Sequence, residues 1–138
     1  MKIIVLIKQT FDTEASIVLD ANGEIVNNAV KLIMNPYDEF AVEEAIRIKE
    51  AQGGEITVVS MGNEDVVVAL KLALSMGCDN AVLLNDPAFQ GGDEYSAATA
   101  LAAYLQKMDC DLILSGWVAI DSGSAQTALR VAESLNLP

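Results

Sequence analysis

Lys2–Ile7 reads KIIVLI, an apolar run in which polar and apolar residues do not alternate. A strand of that kind is covered on both faces, the mark of a parallel sheet rather than of one with a wet side. Three further runs share its character: Ile56–Ser60 (ITVVS), Ala81–Leu84 (AVLL) and Leu112–Ser115 (LILS). Helical segments separate them. Asn35-Pro36 is an N-cap followed by proline at the first helical position, with Asp38 and Glu39 in the first turn. In that helix Ala41, Val42, Ala45, Ile46 and Ile48 share one side, and Glu43, Glu44, Arg47 and Glu50 take the other. Lys49 falls on the apolar edge, where its stem can lie along the core while its ammonium reaches water. The next helix opens with Asn63, Glu64 and Asp65 and ends at Gly77. Its middle, VVVALKLAL, is apolar nearly all round and predicts heavy burial. A third runs from about Asp93 to Lys107, and a fourth is expected to start near Ser122–Ser124 and to carry Leu129, Val131, Ala132 and Leu135. The exception to the alternation is Ile17–Val26 (IVLDANGEIV), where Asn22-Gly23 between β-formers predicts a hairpin with a type I′ turn. This order predicts an α/β protein: a doubly wound, mostly parallel sheet with helices on both faces and an additional β-hairpin, in one domain over residues 1–138.

Composition bounds what such a domain can do. At 138 residues the chain is the size of one domain, and 52% hydrophobic against 20% charged residues is globular rather than disordered. Eight basic and 20 acidic side chains give −12, which argues against nucleic acid or anionic lipid as the main partner. No apolar run reaches the length of a membrane span, and the apolar part of MKIIVLIKQT is too short for a signal peptide. The chain has no histidine, so serine triads, Cys-His pairs, His-ligated zinc and His acid–base catalysis are excluded from it. Cys78 and Cys110 form no C-x-x-C, and two free thiols suit a reducing cytoplasm.

Ligands on doubly wound sheets bind beyond the carboxyl ends of the strands, where the winding reverses. Those ends are Lys8-Gln9-Thr10, Met61-Gly62-Asn63, Asn85-Asp86 and Gly116–Thr127. The most informative is the last loop, SGWVAIDSGSAQTALRVAE over Ser115–Glu133, which leaves a strand and enters a helix through Ser122, Gly123 and Ser124. Free backbone N–H groups there, with the hydroxyls of Ser122, Ser124 and Thr127 and the amide of Gln126, suit a phosphate. An ordinary capped helix is the alternative. Neither G-x-x-x-x-G-K-[ST] nor G-x-G-x-x-G occurs. Asp121 either caps that helix or holds the loop. Asn35–Asp38 is either a plain helix start or a set of peptide groups facing a base edge. Trp117 serves packing, a protein interface or stacking on a nucleotide.

Several stretches coincide with one known family. They are KQTFDTE at Lys8–Glu14 with the hairpin after it, MNPYDEFAVEEAIRIKE at Met34–Glu50, VVSMG at Val58–Gly62, ALSMGCDNAVLL at Ala73–Leu84 and DLILSGWVAIDSGSAQT at Asp111–Thr127. In this order they resemble the amino-terminal half of the electron transfer flavoprotein beta subunit, over essentially the whole chain. The resemblance implies a fold of adenine-nucleotide-binding type, truncated relative to the family, and pairing with an alpha subunit. It implies FAD held mostly by that partner, and AMP, or a second FAD in electron-bifurcating members, held by this chain. The heterodimer would pass electrons between acyl-CoA or other flavin dehydrogenases and the respiratory chain or ferredoxin, without catalytic residues in this chain. By the same resemblance, nucleotide contacts fall on Leu6, on Asn35, Pro36, Tyr37 and Asp38, and on Met61. The remainder are Ala119, Ile120, Asp121, Ser122, Gly123, Ser124, Ala125, Gln126, Thr127, Ala128, Leu129 and Arg130, with Asn35–Asp38 facing the adenine and Asp121–Thr127 the phosphate. Three positions depart from the family pattern: Phe11 where many relatives have proline, Ala128 where glycine is usual, and Trp117-Val118 in place of smaller or polar residues. A methyl group at Ala128 could crowd a phosphate or pyrophosphate. The alternative from another class is a stand-alone universal-stress-type nucleotide binder, whose glycine-rich phosphate loop is not found here.

Overall fold

The computed structural model describes residues 1–26 and 30–138. Four strands, β1 (Lys2–Leu6), β4 (Glu55–Met61), β5 (Asn80–Leu84) and β6 (Leu112–Ser115), form a parallel sheet in the order β5-β4-β1-β6. In β1, Ile3 and Val5 face one side and Ile4 and Leu6 the other. That two-sided burial is why KIIVLI carries no polar alternation. On the first side α1 (Pro36–Gln52) and α2 (Val67–Met76) bring Val42, Ala45, Ala69, Leu70 and Ala73 against Ile3, Val5, Ile56 and Val58. On the second, α3 (Glu94–Leu105) and α4 (Thr127–Ser134) bring Ala98, Leu101, Leu105 and Val131 against Ile4, Leu6 and Val59. The doubly wound, parallel α/β architecture is therefore as the sequence implies. From β1 the chain winds outward through β4 to β5, then reverses across the sheet to β6. The switch point lies between β1 and β6.

Two short strands, β2 (Gln9–Phe11) and β3 (Leu32–Met34), form a separate antiparallel pair that the sequence reading did not foresee. The hairpin it did foresee is reduced to one antiparallel bridge, Leu19 to Ile25. Its turn is not type I′. Asp20 N–H donates to Glu24 C=O at 2.8 Å and Gly23 N–H to Asp20 C=O at 3.1 Å, closing a three-residue loop with Gly23 at φ +84°. Asn22 stays at negative φ. The Asp20 carboxylate decides this by accepting the N–H groups of Asn22 at 2.8 Å and Glu24 at 3.0 Å, an arrangement that ends in a glycine bulge.

Two helices differ from expectation. The outer face of α2 is not buried: Val68 is 63% and Leu72 41% exposed, because among the described residues α2 is covered by the sheet side only. The fourth helix starts at Thr127, later than Ser122–Ser124. Residues 119–124 close on themselves instead, Ala119 N–H donating to Ser124 C=O at 2.8 Å and Gly123 N–H to Ala119 C=O at 2.9 Å. Leu129 consequently points outward, 71% exposed, while Val131 is buried. In α1 the expected faces hold, and Lys49 reaches Asp79 at 2.6 Å from the apolar edge. The folded surface of 8212 Å² exceeds the roughly 7,000 Å² of a compact monomer of this mass. The apolar side chains left exposed on α2 and on the 17–25 hairpin belong to that excess.

Candidate functional site

At the switch point the loops that follow β1 and β6 meet the start of α1, and Asn35 and Asp38 tie them together. Asn35 precedes α1 but does not cap it with its side chain. Its Nδ2 donates to Val118 C=O at 3.0 Å and to Asp38 Oδ1 at 3.1 Å, and its Oδ1 accepts the Ile120 N–H at 3.2 Å. Its backbone N–H donates to Lys8 C=O at 2.9 Å. Asp38 Oδ2 in turn accepts the Lys8 N–H at 2.7 Å. A side chain buried this completely and bonded in every direction fixes the loops it touches. Burial pushes the Asp38 carboxyl up to about 6, against the backbone and Asn35 hydrogen bonds that favour its charged form. Gly116 makes the close approach possible, because a Cβ there would collide with Asp38 Oδ1 and with the Asp38 backbone nitrogen.

Beside this knot opens a cleft of about 690 Å³, within the roughly 300–1,000 Å³ typical of small-molecule sites. The strand ends contribute Leu6, Val59, Met61 and Ser115. Gly92, Asp93, Glu94, Ala97 and Leu101 come from α3 and the turn before it, and Trp117–Ala119, Ser122 and Ser124–Leu129 from the last loop and α4. The first turn of α4 presents its N–H groups uncapped, since the Gln126 side chain makes no capping bond and instead accepts from Arg130 at 2.8 Å. The Ser124 hydroxyl is buried and meets no protein partner in hydrogen-bond geometry. It nonetheless lies near Glu94, whose own backbone N–H and this hydroxyl hold that carboxyl below its ordinary range. These free donors, an apolar base and the cleft's size fit an adenine nucleotide.

Twelve of the residues expected to touch a nucleotide line this cleft: Leu6, Asn35, Asp38, Met61, Ala119, Ser122, Ser124, Ala125, Gln126, Thr127, Ala128 and Leu129. Six do not. Pro36 and Tyr37 form the first turn of α1 outside the lining, Ile120 contributes its N–H to Asn35, and Gly123 (φ +70°) closes the turn. Asp121 neither caps α4 nor enters the wall. It pairs through both carboxylate oxygens with Lys8 Nζ at 2.9 Å. Arg130 turns away, its guanidinium 5.7 Å above the Tyr95 ring in the groove between α3 and α4. The cleft also takes in residues outside the expected contact set: Lys8, Gly116 and Trp117 from the loops at the strand ends, and the Gly92–Glu94 turn. Lys8 and Gly116 stood at strand ends, which was signal enough. Gly92–Glu94 reads only as a helix start. Trp117 is 70% exposed and meets Tyr37 edge-on at 5.6 Å between ring centroids.

Other chemistry is sparse. Among the described residues no group of three or more Cys, Asp or Glu is placed to hold a metal, and no helix is long and apolar enough to cross a membrane. Cys78 and Cys110 are free, and burial pushes the Cys78 thiol up to about 11.

A doubly wound, mostly parallel α/β domain, with its cleft at the point where the winding reverses, is the class that fold and site define. Within that class the chain belongs to the electron transfer flavoprotein family. The family model described as "Electron transfer flavoprotein domain" matches residues 23–138. The chain is 48% identical over 139 residues to the electron transfer flavoprotein subunit beta of Bacillus subtilis (strain 168), covering 100% of this chain and 54% of that protein. It is 44% identical over 138 residues to the same subunit of Thermoanaerobacterium thermosaccharolyticum, covering 100% and 53%. To the caffeyl-CoA reductase-Etf complex subunit CarD of Acetobacterium woodii it is 38% identical over 140 residues, covering 100% and 53%. The chain thus spans about half the length of the curated relatives it matches. Membership in this family sets aside the stand-alone stress-type alternative.

Proposed function

We propose that this chain is the nucleotide-holding part of a beta-subunit-type electron carrier, binding AMP, or FAD in its place, in the switch-point cleft. Paired with an alpha subunit, it would serve electron passage between flavin dehydrogenases and the respiratory chain or ferredoxin, with no bond-making residue of its own. The observation that carries the reading is the cleft itself. Its lining joins three strand ends to the uncapped first turn of α4, with Asn35 locking the intervening loops. The strand ends and Leu101 would shield the base from water, and the N–H groups of Thr127, Ala128 and Leu129 would receive the phosphate. A bound flavin would supply one- and two-electron chemistry. This chain's part is to hold, orient and desolvate.

Calorimetric titration with AMP and then FAD tests the reading. Saturable binding of either, lost in Ala97→Phe, which fills the cleft from α3, is the expected result. Binding that survives Ala97→Phe would place the nucleotide elsewhere, and an absence of binding to both would overturn the proposal.

A further inference from the structure

Among the described residues that line the cleft, Lys8 is the one basic side chain, whereas Asp38, Asp93 and Glu94 are acidic. Two of those carboxylates are committed: Asp38 to the Lys8 N–H and Asn35, and Asp93 to the Ser96 N–H at 2.9 Å as the cap of α3. An anion entering this cleft therefore has one cation to meet. That cation is already engaged, its ammonium held between both oxygens of Asp121 at 2.9 Å, across 113 residues of sequence. The pair is partly exposed, Lys8 at 42% and Asp121 at 25% of their side-chain surface, so it is exchangeable rather than buried and permanent.

We propose that Lys8 receives the anionic group of the nucleotide and that Asp121 is a positioning residue, the displaceable counter-ion that holds Lys8 at the mouth until that group replaces it. The inference rests on the nucleotide reading above and assigns the phosphate-facing role differently within it. Asp121 repels a phosphate and competes with it for Lys8. It does not bind the phosphate. The geometry also gives the cleft a selectivity: ligands of the same base gain affinity from Lys8 only if they carry an anion able to outcompete a carboxylate.

Calorimetric titration of the whole chain with AMP and with adenosine separates the terms. Lys8→Met is expected to weaken AMP about tenfold or more, the worth of one charge-assisted contact, and to leave adenosine unchanged. Lys8→Arg restores most of the AMP affinity. Asp121→Asn is expected to tighten AMP several-fold, again without effect on adenosine. Because adenosine reports an intact cleft, a misfolded variant is recognised by the loss of both ligands, and Lys8→Arg then carries the test. If Lys8→Met, still folded by circular dichroism, weakens AMP and adenosine by the same factor, or Asp121→Asn weakens AMP as Lys8→Met does, the proposal fails while the nucleotide reading stands. If the unaltered chain takes up neither AMP nor adenosine nor FAD, both fail together.

Discussion

Asn35 Oδ1 accepts the backbone N–H of Ile120 at 3.2 Å, from a residue 85 positions away in sequence, in the loop that follows β6. Asn35 is 1% exposed, and removing its side chain leaves that N–H and the Val118 carbonyl, both part-buried, without their protein partner. Asn35→Ala is expected to cost on the order of 2–4 kcal/mol, the penalty for two orphaned polar groups less what the loop recovers by moving. Asn35→Asp keeps the acceptor, loses the donor and sets a second carboxylate against Asp38. It should be worse than alanine at pH 7.5 and better at pH 5. Urea unfolding midpoints at the two pH values check both.

Asp38 predicts a particular pH profile. Its carboxyl is raised by burial to about 6, so the folded state holds a proton that the unfolded state has released. Its contribution to stability is fully present below the unfolded value and is lost as pH rises through 6, by about 3 kcal/mol in all. Asp79 runs the other way: Lys49 and the Ile56 N–H hold it low, so its share is lost as pH falls. Unfolding free energies between pH 4.5 and 7.5 should decline across that window in the unaltered chain. Asp38→Asn should flatten the decline, and an unchanged slope would mean that the carboxyl is already ionised at pH 5.

Gly116→Ala tests the close approach of β6 to α1. A methyl group there meets the Asp38 carboxylate, held by Asn35 and the Lys8 N–H, and the backbone of Tyr37 and Asp38. Overpacking of this kind costs about 1–3 kcal/mol. AMP affinity should fall with it, since relief requires the 116–119 loop to shift away from Asn35. Thermal melts with and without AMP measure both effects.

The exposed face of α2 predicts tolerance. Val68→Glu together with Leu72→Lys places an i,i+4 ion pair on the exposed face of α2, where Val68 is 63% and Leu72 41% exposed. Stability should stay within about 0.5 kcal/mol of the unaltered chain. Sedimentation should show less self-association, because an apolar strip has been removed.

Local sequence determined much of this protein. Continuous apolar runs specified strands buried on two faces, Pro36 and Gly77 punctuated helices, and the spacing of Ala41, Val42 and Ala45 chose the inner side of α1. These signals are legible because each depends on neighbours within a few residues. The departures have the opposite cause. VVVALKLAL announces hydrophobicity but not how many neighbours the fold will supply, and α2 received them on one side only. Asn22-Gly23 fits a type I′ turn until the Asp20 carboxylate takes two N–H groups. Ser122–Ser124 looks like a helix start until Ala119 pairs with Ser124. The cleft was decided at greater range still. Strand ends could be read as its neighbourhood, but strand order set Lys8 beside Asp121 and Asn35 beside Ile120. Partners a hundred residues apart leave no periodic trace in a sequence, because their meeting depends on the winding of the sheet and not on the spacing of either residue.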